Sequence, residues 1–191
     1  IFLLPFFYTV SPYQLDPSKI LQAPSLEHLF GTDRLGRDML ARILEGGQTS
    51  LIIGFLAASI SSIVGLFIGI NAGYFKGNID KSITITIDLF LTFPTFFLLL
   101  ALVSYIQASA VILIIVISIT GWMGMARMIR SESFAIGNKP FIKILKVANV
   151  STFKIIFKYF APLLAPIFLI SFTFGVGGSI LAESGLSFLG L

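Results

Sequence analysis

Three stretches of this chain run uncharged for the length of a bilayer or more, and they decide what it can fold into. Thirty residues separate Glu45 from Lys76, thirty-eight separate Asp88 from Arg127, and twenty-four separate Lys158 from Glu183. About 20 apolar residues suffice for a helix to cross the hydrocarbon core. Of the 191 residues, 56% are apolar and 12% charged, roughly half the ~25% charge of a soluble domain. The net charge of +4 does not point to nucleic acid, because the charges are bunched between apolar stretches rather than spread over a surface. The absence of cysteine removes disulfides, thiolate catalysis and thiolate metal sites, and the single histidine, His28, cannot build a histidine metal cluster.

The expected fold is therefore an all-α membrane protein, a polytopic helical bundle. Its complete spans are expected at about 50–74, 82–104, 109–126 and 159–183. The span at 82–104 is obtained by starting at Ser82, which places Asp88 inside the membrane. The polar break Ser104-Tyr105-Ile106-Gln107-Ala108-Ser109 separates it from the next. No secretory signal is visible. The apolar run Ile1–Tyr8 is too short to span, so residues 1–10 read as the end of a first helix whose beginning is absent. Basic residues in short loops orient the chain. Residues 127–158 hold Arg127, Arg130, Lys139, Lys143, Lys146, Lys154 and Lys158 against Glu132 alone, so this loop is expected in the cytoplasm. Alternation puts residues 74–81 inside as well, and residues 11–49, with four basic and five acidic residues, outside.

Within the spans, Gly65, Gly69 and Gly73 fall on one helix face and permit close helix approach. Gly175-Val176-Gly177-Gly178 marks a flexible or tightly packed point. Pro94, Pro162 and Pro166 kink or start helices. In the loop 127–158, Pro140 can open a helix that places Phe141, Ile144, Leu145 and Ala148 on one face. Asn149 can end it in a left-handed conformation, and Ser151 can cap a second helix with apolar positions Phe153, Ile156, Phe157 and Phe160. Two readings of this helix pair stand side by side: a docking element set into a groove on a cytoplasmic partner, and a basic interfacial loop touching anionic headgroups. Asp88, the one acid well inside a span, is expected to face the bundle interior in a structural ion pair or hydrogen bond, with proton coupling as the alternative. Glu183, at the outer end of the last span, is expected to pair with an arginine of the outer segment. His28 reads as a solvated outer-loop residue. There is no G-x-x-x-x-G-K-[ST] loop, no Gly-x-Ser-x-Gly elbow and no His-Glu-x-x-His helix, so the chain lacks those means of hydrolysing ATP or acting as an intramembrane enzyme.

The outer segment contains Gly31-Thr32-Asp33-Arg34-Leu35-Gly36-Arg37-Asp38, followed by Arg42, Gly46 and Ser50-Leu51. Further on come Ala72-Gly73-Tyr74-Phe75, Asp88, Phe93-Pro94, Gly121-Trp122, Ala126-Arg127 and Arg130, and the chain ends in Leu181-Ala182-Glu183-Ser184-Gly185-Leu186-Ser187-Phe188-Leu189-Gly190-Leu191. From about Tyr13 onward this resembles the second permease subunit of the dipeptide, oligopeptide and nickel ABC importers, which carry a G-T-D-x-x-G-R-D signature there. The resemblance implies a permease of the type I importer kind with two short cytoplasmic coupling helices. It assigns Gly31, Thr32, Asp33, Gly36, Arg37 and Asp38 to a structural or gating motif. It assigns Phe141, Lys143, Ile144, Leu145, Ala148, Asn149, Phe153 and Phe157 to the ATPase-coupling loop. That loop usually carries Glu-Ala-Ala, three residues, then Gly; here Lys143, Ile144, Leu145 and Asn149 stand at those positions, so the two-helix shape is kept and the acidic contact is lost. A final span normally follows the Leu-Gly-Leu run and is absent here.

The resemblance implies a multi-pass protein of the bacterial cytoplasmic membrane. Its expected partners are a second permease subunit, two ABC ATPase subunits and an extracytoplasmic solute-binding protein. ATP and Mg would be bound by the ATPase subunits, with no cofactor or metal in this chain. Cargo would be a peptide, nickel or a metal–chelator complex. The rival is an ion-coupled carrier or channel subunit that works without an ATPase, with Asp88 as its titrating group.

Overall fold

A computed structural model describes residues 1–104 and 109–189. The expected polar break at 104–109 and the terminal Gly190-Leu191 therefore lie wholly or partly outside the described residues. Two compact units result, Ile1–Ile52 and Ile53–Leu191.

The first unit contains short 3-10 turns at Leu4–Phe6 and Pro17–Lys19, a single antiparallel bridge between Thr32 and Asp38, and the beginning of helix α1 (Met39–Phe75). Residues 1–10 do not form the end of an α-helix, as the sequence suggested. One 3-10 turn with Pro5 in its first positions replaces it, since proline has no amide to continue an α-helical ladder from preceding residues. Helix α1 starts eleven residues before the expected span. Arg42 and Glu45 are compatible with helix, so the apolar run marks the part suited to lipid rather than the helix itself. At about 1.5 Å per residue α1 is about 55 Å long, well beyond a hydrocarbon core of about 30 Å.

In the second unit α1 turns into α2 (Gly77–Leu91) through Lys76 and Gly77, both at positive φ (56° and 57°). The expected single span 82–104 is two helices, α2 and α3 (Thr95–Ser104), interrupted at Thr92–Pro94. Pro94 supplies no amide and disfavours helix at Phe93, while Thr92 Oγ1 bonds back to the Asp88 carbonyl at 2.9 Å. Helix α4 (Ala110–Gly137) is capped by Ser109, whose Oγ accepts from the Ile112 amide at 3.3 Å, and it continues eleven residues past the expected end at 126. Then come α5 (Pro140–Val147), α6 (Thr152–Ile155), a π-helical turn Ile156–Phe160, and α7 (Ala161–Phe188). The π-turn precedes Pro162, whose missing amide frees a carbonyl one turn back. Among the described residues, three helical stretches are long and apolar enough to cross a membrane: Met39–Phe75, Ala110–Gly137 and Thr152–Phe188.

The glycine face of α1 packs on α4. A Cβ on Gly65 would lie 2.6 Å from Met125 Cβ, one on Gly69 2.7 Å from the Ala126 carbonyl oxygen, and one on Gly73 2.5 Å from Ser133 Cβ. Lipid gives helices no hydrophobic reason to associate, so close backbone approach is what holds them. A buried cluster of Ile70, Tyr74, Ile129, Ile136, Ile142, Ile155, Phe160 and Leu164 joins α1, α4, α5 and the start of α7. A second, of Ile53, Ala57, Leu99, Leu113, Val116, Ile117 and Leu186, joins α1, α3, α4 and α7. Ile119, Leu169 and Leu181 stay exposed, an apolar exterior suited to acyl chains.

Candidate functional site

The helix pair between α4 and α7 is built much as its sequence suggests. Pro140 occupies the first turn of α5, and Asn149 has φ 57°, the left-handed conformation that turns the chain back. Ser151 stands at the N-cap of α6, yet its side chain makes no capping bond. The apolar residues of the pair divide into buried and exposed sets. Ile142 is fully buried and anchors α5, with Leu145 half-buried beside it, while Phe141, Ile144 and Ala148 are exposed. Ile155 and Phe160 anchor the second arm, while Phe153 and Phe157 are exposed and lie against each other, ring centroids 4.2 Å apart. Helix α5 thus carries two apolar sides: Ile142 holds it to the bundle, and most of the face read from the sequence, Phe141, Ile144 and Ala148, is left free. Val147, not singled out in the sequence, is 88% exposed and extends that row. Lys143, Lys146 and Lys154 are exposed around it.

Asp88 does not face the bundle interior as expected, its side chain being 57% exposed, but it does form the expected ion pair. Its carboxylate pairs with Arg127, and one helical stretch away Asp80 receives both Nε and Nη2 of Arg130, the latter at 2.8 Å. Both pairs tie α2 to α4. The seam was not legible beforehand, because acids and arginines lie 39 and 50 residues apart in sequence. Glu183 is buried, and its carboxylate accepts from Ser187 Oγ at 2.9 Å.

Between α1, α3, α4 and α7 lies a cavity of about 640 Å³. Ser61, Ser62, Thr120, Ser171 and Ser179 give it hydroxyls, Met125 and Met128 give it thioethers, and Gly121, Gly124 and Gly178 keep it open. None of its described lining residues is charged. Among the described residues no group of three or more His, Cys, Asp or Glu is placed to hold a metal ion.

In the first unit, the Gly31–Asp38 motif folds into a knot. Gly31 and Gly36 have φ 69° and 74°, and a Cβ on Gly36 would stand 1.9 Å from the Asp16 carbonyl oxygen. Thr32 Oγ1 accepts from the Gln22 amide at 2.9 Å and donates to the Lys19 carbonyl. Asp33 accepts from the amides of Leu35 and Arg37 at 2.8 and 3.0 Å and from the guanidinium groups of Arg37 and Arg42. Asp38 precedes α1 and accepts from the Ala41 amide at 2.7 Å, an N-cap, and also from Tyr8 Oη at 2.6 Å. His28 is buried rather than solvated, its Nδ1 2.9 Å from Asp38 Oδ2 and its Nε2 3.3 Å from Lys19 Nζ. A carboxylate only accepts, so Nδ1 donates to Asp38.

Burial opposes charge on Asp33 and Asp38, but the Arg37 and Leu35 amides with the Arg37 and Arg42 guanidiniums for Asp33, and the Ala41 amide with Tyr8 and His28 for Asp38, outweigh it and hold both carboxyls below the usual carboxylate range. A carboxylate depressed on folding contributes stability that is complete above its unfolded value of about 4 and is lost as pH falls through its lower folded value. The knot is thus expected to stay closed at neutral pH and to loosen below about pH 4. Proteolysis of the 11–38 segment across that range checks this: equal cleavage at pH 6 and pH 2.5 would contradict it.

The helices, the lipid-suited exterior and the uncharged internal cavity define a multi-pass helical membrane protein. A family signature described as "Binding-protein-dependent transport system inner membrane component" matches residues 61–191, and the chain belongs to that family. It is accordingly a multi-pass protein of the bacterial cytoplasmic membrane. It is 36% identical over 190 residues to the oligopeptide transport system permease protein OppC of Mycobacterium tuberculosis, covering 98% of this chain and 64% of that relative. The OppC of Haemophilus influenzae is 33% identical over 189 residues, 98% of this chain and 61% of the relative. The dipeptide transport system permease protein DppC of Alkalihalophilus pseudofirmus is 38% identical over 185 residues, 96% of this chain and 60% of the relative. The chain thus spans under two thirds of the length of these relatives, and the family whose motifs it resembles is the one they represent.

Proposed function

We propose that the chain is a permease subunit of a binding-protein-dependent ABC importer for peptides. It would form part of the translocation path with a second permease subunit, receive cargo from an extracytoplasmic solute-binding protein and couple to two ABC ATPases that bind ATP and Mg. Peptide cargo is supported by relatives named for oligopeptide and dipeptide transport; nickel and metal–chelator complexes are the other cargoes to test.

The observation that carries the reading is the α5–α6 hairpin. The seven basic residues of 127–158 support a cytoplasmic position for it. Its buried row anchors it to the bundle, and Phe141, Ile144, Val147, Phe153 and Phe157 stay exposed on a basic tip. Such a row of apolar anchors at helical spacing suits a groove on a protein partner. An ATP-driven closure of the partners would move the hairpin and, with it, the helices lining the cavity.

With the partner subunits co-reconstituted in proteoliposomes, Phe141→Asp and Phe157→Asp are each expected to lower ATP-dependent uptake by about tenfold or more, because each charge would be desolvated in the groove. Normal uptake in both would defeat the docking claim. Asp88→Asn is expected to retain uptake, since Asp88 has Arg127 as its structural partner. Loss of uptake with intact assembly would instead favour the ion-coupled carrier.

A further inference from the structure

We propose that Tyr74, with Lys76 and Lys146, is the joint that passes movement of the α5–α6 hairpin to α1 and α2, an inference that rests on the docking role of the hairpin. Tyr74 is a buried residue in the last turn of α1. Lys146 of α5 places its Nζ 4.1 Å from the centre of the Tyr74 ring. Phe160, in the π-helical turn, meets the same ring edge-on with centroids 5.5 Å apart. The Tyr74 hydroxyl donates to Thr152 Oγ1 of α6 at 3.4 Å. One side chain therefore touches both arms of the hairpin and the turn that leads into α7.

Lys76 holds the hairpin's root in the same way. Its Nζ donates to Asn138 Oδ1 at 2.6 Å and lies 4.2 Å above the Phe134 ring. Asn138 is the residue that ends α4, and α5 begins two residues later. The two lysines bind by cation–π attraction, which is strongest over the ring face and weakens as the ammonium leaves it.

What makes these contacts a joint is their place in the backbone. Lys76 and Gly77 form a sharp corner of two successive positive φ values, so a force on Tyr74 or Lys76 acts on the end of α1 and the start of α2 together. Helix α2 then leads through the interruption at Thr92–Pro94 to Thr95 and Leu99 of α3, which line the internal cavity. Packed elements of this kind transmit displacement by rearranging discrete contacts rather than by deforming smoothly.

The test measures ATP hydrolysis and uptake together on the assembled transporter in proteoliposomes. Tyr74→Leu keeps apolar bulk and removes the ring face and the hydroxyl. It is expected to leave ATP turnover and lower uptake per ATP by about fivefold or more, whereas Tyr74→Phe stays within about twofold. Lys146 is exposed, so its substitution spares the core. Lys146→Gln is expected to lower uptake per ATP about threefold, and Lys146→Arg to restore it. An unchanged ratio in Tyr74→Leu would overturn the proposal. So would a parallel loss of ATP turnover and uptake in Tyr74→Leu beside a normal Lys146→Gln, which marks Tyr74 as core packing alone. A normal ratio in Tyr74→Leu alongside lost uptake in Phe141→Asp sinks the joint and spares the docking reading; normal uptake in Phe141→Asp and Phe157→Asp removes the docking reading itself.

Discussion

Gly36→Ala is expected to open the outer knot at a cost of about 3 kcal/mol or more, the sum of a left-handed backbone forced on an L-residue and an overpacked contact. The added methyl would stand 1.9 Å from the Asp16 carbonyl oxygen, a backbone atom that cannot swing aside as a side-chain tip could. The turn that lets Asp33 collect its amide and guanidinium partners would be lost with it. Limited proteolysis of the 11–38 segment in native membranes reads this directly. Gly46→Ala is the matched control: it lies in α1 with nothing within 4 Å of the added carbon, so it should be neutral or stabilising by up to about 1 kcal/mol. Equal protease resistance of the two variants would refute the account of the motif as a structural knot.

Gly69→Leu should be still more damaging. Even the first added carbon would fall 2.7 Å from the Ala126 carbonyl oxygen and 2.8 Å from Ile129 Cβ, and three further carbons force α1 and α4 apart. Separation exposes the Ile70–Ile129–Ile136 cluster and strains the seat of the hairpin anchor Ile142. Insertion of bulk into a closed helix interface typically costs 1–3 kcal/mol per modest overpacking, roughly, and more where backbone must move. The detergent-solubilised protein is expected to lose its cooperative thermal transition or lower its midpoint by about 10 °C or more. Gly177→Ala, with open space around the added carbon, should melt as the unaltered protein does; a similar fall in both would show that the glycine face of α1 does not hold the bundle.

Much of this architecture was readable in the residues, for reasons that differ by element. The spacing Gly65-Gly69-Gly73 found its partner helix because periodicity encodes a face. Pro140 and Asn149 bounded α5 because each restricts its own backbone. Charge-free runs located lipid-suited segments but not helix ends, since α1 and α4 both carry charged residues within continuous helix. Pro94 was noted as a kink, yet hydropathy alone joined α2 and α3 into one span. The hairpin's anchors Ile142 and Ile155 were not singled out, because an amphipathic pattern cannot say which apolar residues meet the chain's own bundle; they turn inward, while Phe141 and Phe153 stay exposed. His28 looked solvated because nothing local reveals that Asp38, ten residues on, returns to it. Contacts across long loops carry no local signature.

The double seam between α2 and α4 bears on how the chain enters the bilayer. Asp80 and Asp88 are both on α2, and their counter-charges Arg130 and Arg127 are both on α4. Either helix alone would bring two charges without these partners to the inner interface, where each costs less than the about 2.5–3.5 kcal/mol of the bilayer centre on insertion scales. Taken together the two helices leave none of these four groups unpaired. Until α4 has emerged, 39 to 50 residues later in the chain, the two acids of α2 lack these partners.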